Sequence, residues 1–101
     1  MGSDNYIRYV ILLTKTPAAN RNDAIIRRHV EYLRDLDRQG KLVLCGPFLD
    51  YEGGMVVVKA ASVDEAKELA ACDPFVREGH RTFEVRTWQL SCEQNNHLGA
   101  G

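Results

Sequence analysis

The stretch D-A-I-I-R-R-H-V-E-Y-L-R-D-L-D-R-Q, Asp23 to Gln39, decides how the rest of the chain is read. Within it Ile26, His29, Leu33 and Leu36 recur at spacings of three, four and three, and Ile25 and Val30 widen the same stripe. That is the period of a helix burying one face. Arg27, Arg34, Asp35 and Arg38 fall on the opposite face, which suits water. His29 therefore points inward, toward whatever the helix packs on, and Leu33 is assigned to the core. Asn20 or Asn22 can cap the start, because a short side-chain acceptor satisfies a free amide of the first turn. Gly40 suits the end, where the chain turns left-handed.

On either side of this helix the pattern changes to that of strands. Tyr6 to Thr14 (YIRYVILLT) is rich in β-branched and aromatic residues. Its middle, Tyr9 to Leu13, is apolar on both alternating faces, so both faces should be covered. Lys41 to Phe48 (KLVLCGPF) reads as a second strand. Gly46-Pro47 bends it or ends its pairing, because proline has no amide to donate; with Phe48 it could also shape a pocket mouth. A turn over Asp50 to Gly54 leads into a third strand, Met55 to Ala60, and the two strands form a hairpin. Ser62-Val63-Asp64-Glu65 is a capping box that opens a second helix. Its inner face is Val63, Ala66, Leu69, Ala70 and, in phase, Asp73. Pro74 pushes Asp73 out of the helical region, so the helix stops there. Phe75 to His80 is a connector with His80 in a solvated turn. Arg81 to Leu90 is a fourth strand, and Ser91 to Gly101 a polar tail, ordered at first and then fraying.

The order β-α-β-β-α-β is the split β-α-β, ferredoxin-like plan of an α+β domain: a four-stranded antiparallel sheet with both helices on one face. We read one domain over residues 6–90 and a tail over 91–101. The strands are apolar on the other face too, as Tyr9 to Leu13 and Met55 to Val58 show. A second copy of the sheet is the economical cover, so a homodimer through the sheet faces is expected.

Composition narrows the function classes. At 101 residues the chain has room for one modest core. Thirteen basic against fourteen acidic residues leave a formal charge of −1, which gives no electrostatic reason to expect nucleic acid or an anionic membrane as partner. The apolar run Tyr9 to Leu13 is too short to span a bilayer, and Met1 to Asn5 lacks the basic start of a signal peptide. Cys45, Cys72 and Cys92 are odd in number and form no C-x-x-C pair. That excludes a fully paired disulfide framework and argues against a zinc cluster. A reducing, cytoplasmic compartment is expected, with the three as small buried thiols. No phosphate loop, dinucleotide fingerprint or serine nucleophile elbow is present, so neither metal nor organic cofactor is expected.

Taken in order, R-x-H-x-x-Y-L-x-x-L (Arg27 to Leu36), G-K-L-V-L-C-G-P (Gly40 to Pro47), D-P-F (Asp73 to Phe75) and V-R-T-W (Val85 to Trp88) make the chain resemble the YciI-like, or YCII-related, family from Tyr6 to about Leu90. The resemblance implies a dimeric ferredoxin-like α/β-barrel, related in shape to muconolactone isomerases and small cofactor-free monooxygenases. It also implies a histidine and aspartate pair at the active site, which maps onto His29 and Asp73. One branch of the family acts as a dehydrochlorinase in chlorinated-aromatic breakdown, so lyase chemistry enters as an expectation.

The residues carry their own argument for that pair. Both are ionisable and both lie in the sheet-facing phase of their helices. With the helices taken as parallel, they sit roughly 6 Å apart along the axes, so a shared cleft is expected. A helix C-terminus disfavours an anion, so helix stability does not explain Asp73. A general base near neutral pH suits His29, whose ordinary pKa is about 6.5, with Asp73 orienting the imidazole. The competing reading is structural: a histidine satisfied by a backbone carbonyl, and an Asp-Pro turn. Gly46, Pro47 and Phe75 are expected at the substrate. Arg8 and Arg86 could bind a substrate carboxylate bidentately, or be edge charges paired with Glu84. A histidine kept for chemistry on an apolar stripe further predicts that His29→Leu leaves stability unchanged or raises it. Two functions follow: a small cofactor-independent enzyme of lyase or isomerase type, or a non-catalytic dimeric module that binds a small ligand or supports a partner.

Overall fold

The architecture follows from one strand that is paired on both sides. In the computed structural model, which describes residues 6–19 and 22–99, β1 (Ile7–Lys15) pairs antiparallel with both β3 (Gly53–Val58) and β4 (Arg81–Gln89). The edge strand β2 (Leu42–Pro47) joins β3 in a hairpin, giving the sheet order β2-β3-β1-β4. Helix α1 (Asp23–Arg38) follows β1, α2 (Val63–Ala71) follows β3, and a short α3 (Pro74–Arg77) leads into β4. This is the ferredoxin-like α+β fold that the element order implied.

Side-chain alternation sorts the strands into two faces. Tyr9, Ile11 and Leu13 are buried and sit opposite Val58, Val56, Val85 and Phe83 across the register. Leu36 of α1 and Ala66 and Ala70 of α2 close the core over them. The two alanines let α2 approach closely, since neither holds it off the sheet. On the other face Val10 and Leu12 are half-buried, while Leu44 and Trp88 are about half exposed. Leu33 is half-buried against the edge of the core; the fully buried α1 residues are Ile25 and Leu36.

The ends of α1 are fixed as its sequence demands. The Asn22 side chain accepts from the Ile25 amide at 2.9 Å; Asn20 lies outside the described residues. At the other end Gly40 has φ +73°. There the Gly40 and Lys41 amides donate to the Asp37 and Leu36 carbonyls, a complete Schellman arrangement. The capping box of α2 forms with its return bond displaced by one residue: Ser62 accepts from the Glu65 amide, and the Glu65 carboxylate accepts from the Ala61 amide rather than that of Ser62. Gly53 opens β3 where any Cβ would stand 2.0 Å from the Leu13 carbonyl oxygen, so only glycine lets β3 lie against β1 there.

Three expectations need correction. The helices run antiparallel to one another, because β3, which α2 follows, runs opposite to β1, which α1 follows. The connector after Asp73 is not irregular: Pro74 supplies a fixed φ at the first position of α3, and Asp73 becomes its N-cap. Cys45 and Cys72 are exposed rather than buried, and all three cysteines are free. Separately, the tail starts in an ordered form: Glu93–Gly99 makes kinked 3₁₀ turns, held by the Asn95 side chain bonding Leu90 and Cys92. No helix among the described residues is long and apolar enough to cross a membrane.

Tyr32 ties the two main helices together by donating its hydroxyl to the Leu69 carbonyl. Burial, then the nearby Asp73 and Cys72, push its phenol far above the ordinary tyrosine value. A raised phenol pKa contributes stability that is complete below the unfolded value of about 10 and is lost as pH rises past it. Tyr32→Phe should therefore cost about 1 kcal/mol at neutral pH and weaken the loss of stability above pH ~10, read by denaturant melts across pH. Leu36→Ala should cost about 2–5 kcal/mol; Leu33→Ala, at a half-buried position, should cost less.

Candidate functional site

Because the helices are antiparallel, the end of α2 lies beside the first turns of α1. Asp73 (φ −61°, ψ 126°) turns its carboxylate back into this junction, where it is 2% exposed. Its Oδ1 accepts from the Phe75 amide at 2.9 Å and meets His29 Nδ1 at 2.9 Å. A carboxylate only accepts, so Nδ1 carries the proton in this contact and Nε2 is left as the basic nitrogen. Asp73 thus fixes both the tautomer and the ring orientation of His29. The Phe75 ring stacks on the imidazole with centroids 4.1 Å apart and planes 18° from parallel, closing another side.

His29 is 16% exposed, and that exposure opens into a cavity of about 680 Å³ between α1 and the helix-facing side of the sheet. Ile26, Val30 and Leu33 form its helix wall, and Cys45, Gly46 and Pro47 its edge-strand wall. Phe75, His80 and Arg81 border it from the α3 side. Partial desolvation at the cavity wall, then the charge of Asp37, push the largely exposed Cys45 thiol above its ordinary value, which disfavours the thiolate a nucleophile requires.

The structure brings together most of the residues read from the sequence. His29, Gly46, Pro47 and Phe75 line one cavity, and Asp73 stands behind His29. Arg8 and Arg86 do not join them. They alternate with the core positions of β1 and β4, so they occupy the opposite sheet face; Arg86 pairs with Glu84, and Arg8 donates to the Ile7 carbonyl. His80 is half-buried at the cavity rather than in a solvated turn, because Thr16 bonds both the Gly79 and His80 carbonyls and draws that segment in. Arg81 was not singled out from the sequence. The signal was present: Arg81 shares the inward phase of Phe83 and Val85, and its register partner is Lys15.

The Asp73 contacts also correct the expectation for His29→Leu. Removing the imidazole leaves a buried carboxylate with the Phe75 amide and one acceptor site short of its partner. Such a loss costs about 1–3 kcal/mol, so His29→Leu should lower stability in a thermal melt.

A YCII-related domain is matched over residues 7–89. The chain is 33% identical over 82 residues to the uncharacterised protein YjpA of Bacillus subtilis, covering 81% of this chain and 94% of that one. Among solved structures it resembles a 5-chloro-2-hydroxyhydroquinone dehydrochlorinase, TftG, from Burkholderia phenoliruptrix AC1100, in complex with 2,5-dihydroxybenzoquinone. The TM-score is 0.63 at 23% identity, over 88% of this chain and 99% of that one, a likeness of fold. With the domain match spanning all four strands and the main helices, the chain belongs to the YCII-related family.

Proposed function

We propose that this protein is a small enzyme that moves a proton on a small organic substrate, with His29 as general base and Asp73 as the residue that orients it. One observation carries the reading: a buried carboxylate holds His29 Nδ1 at 2.9 Å while the imidazole borders an open cavity of about 680 Å³. The cavity is large enough for a substituted ring and has mostly apolar walls, as small-molecule sites do. A purely structural histidine would not need such a space beside it.

The step balances without an electron donor. His29 Nε2 takes a proton from a carbon or hydroxyl of the substrate. The freed electron pair forms a double bond, and a leaving group such as chloride departs with its own pair; returning the proton at another carbon gives isomerisation instead. Asp73 stabilises the imidazolium formed on the way. That a structural neighbour is a dehydrochlorinase bound to a dihydroxybenzoquinone supports planar, hydroxylated rings as the first substrates to try.

A homodimer through the second sheet face belongs to the same reading. Val10, Leu12, Leu44 and Trp88 give that face an apolar surface, with the last two about half exposed. A sheet from a second copy would bury it. Three unpaired cysteines suit a reducing, cytoplasmic setting.

Chloride release and ultraviolet absorbance on a panel of chlorinated hydroquinones and hydroxyquinols test the reaction. His29→Gln should lower turnover by about 10²–10⁴-fold, and Asp73→Asn should lower it while the cavity remains. Unchanged turnover in His29→Gln overturns the assignment and leaves the cavity as a ligand-binding site. In sedimentation the wild-type chain should run as a dimer at micromolar concentration and Trp88→Glu as a monomer; a wild-type monomer removes the dimer from the reading.

A further inference from the structure

We infer that Arg81 is an anion anchor of this cavity, and that the ligand it selects is a small planar molecule carrying a delocalised oxyanion, a carboxylate or an ionised ring hydroxyl. This rests on the reading of the cavity as the reaction site, although its test needs no turnover.

The argument begins with charge. Among the described residues, the charged side chains bordering the cavity are Lys15, Glu52 and Arg81, with His29 and His80 as titratable neighbours. Lys15 is committed to Glu52 at 2.8 Å. That hydrogen bond, then the charges of Lys15 and Arg81, hold the Glu52 carboxyl below the usual range. Asp73 is turned away behind His29 and 2% exposed. Among the described residues no carboxylate forms an ion pair with Arg81. The cavity therefore carries a cation that its own acidic group does not match.

Geometry gives that cation a direction. The Arg81 guanidinium lies over the Phe75 ring, 4.8 Å from its centroid, and one Nη1 proton is used on the His80 carbonyl at 2.9 Å. A place over an aromatic ring and one fixed hydrogen bond restrict how the guanidinium turns, which leaves its remaining donors for a ligand. Two such donors can take the two oxygens of a carboxylate or converge on the single oxygen of an ionised ring hydroxyl. The same Phe75 ring stacks on His29, so Arg81 and the proposed base are neighbours across one aromatic side chain. An anion held at Arg81 would present the rest of a flat molecule to the imidazole, and electrostatic pull would add to apolar burial. Positioning of this kind decides which substrates react as well as how fast.

Titration of the full chain with benzoate and with benzamide, followed by calorimetry, reads the preference directly, since the two probes share shape and differ in charge. The wild type should bind benzoate at least about tenfold tighter than benzamide, the scale of a charge-assisted bidentate contact. Arg81→Gln should lose that preference, and His29→Gln should keep it. A parallel titration with 4-nitrophenolate separates the two sources: tighter benzoate marks a carboxylate, tighter nitrophenolate a ring oxyanion, and either supports the anchor. The Arg81 Nε–H resonance of the wild-type chain, shifting with benzoate and not with benzamide, gives a readout that needs no folded variant. Equal binding of the two probes, binding of neither, or a preference that survives in Arg81→Gln overturns the proposal. Unchanged turnover in His29→Gln with the anion preference intact would instead overturn His29 as base and leave Arg81 standing.

Discussion

The buried carboxylate of Asp73 is the constraint around which the site is arranged. An ionisable group this enclosed must have its acceptor sites filled, or its burial costs several kcal/mol. Pro74 has no amide to offer, so the next amide, that of Phe75, supplies one bond and His29 supplies the other. Satisfying Asp73 therefore sets three things together: the turn from α2 into α3, the approach of that turn to α1, and the tautomer of the imidazole. The helix that opens at Pro74 also reverses the electrostatics expected at the end of α2, since Asp73 caps a start as well as following an end.

Core and cavity share one face of the sheet, and side-chain size divides them. Under α2 and the last turns of α1, the positions facing the helices are Tyr9, Ile11, Val56 and Val58, which fill the space. Toward the other end of the sheet the corresponding positions on β2 and β3 are Cys45, Pro47 and Gly54. These reach little of the way to Ile26 and His29, and the gap between sheet and helix becomes the cavity. The edge position of β2 leaves that side uncovered, so the cavity opens outward. Emptiness here follows from small residues at strand ends rather than from any displacement of the helix.

Net charge describes the cavity poorly. The chain as a whole is nearly neutral, with a formal charge of −1. Around the cavity, among the described residues, the balance is reversed, because Lys15 and Arg81 face one accessible carboxylate, Glu52, while Asp73 is enclosed behind the imidazole. Local fields depend on which charges share a low-dielectric wall, and composition carries no record of that sharing.

The sequence alone determined the element order, the capping of both helices and the inward phase of His29. Each depends on contacts a few residues apart: the three-four-three spacing around His29, the Ser62 box, the glycine after Gln39. It also marked His29 and Asp73 as a pair, through phase and family likeness together. Only the tertiary structure decided how the two meet. Antiparallel strand pairing reverses α2 relative to α1, and that reversal, set by contacts far apart in the chain, brings Asp73 to His29. The same long-range register put Arg8 and Arg86 on the far face and brought Arg81 to the cavity. A period of two tells which residues share a face of one strand; which face meets the helices, and which strand ends lie under the start of α1, is settled only when the sheet is assembled.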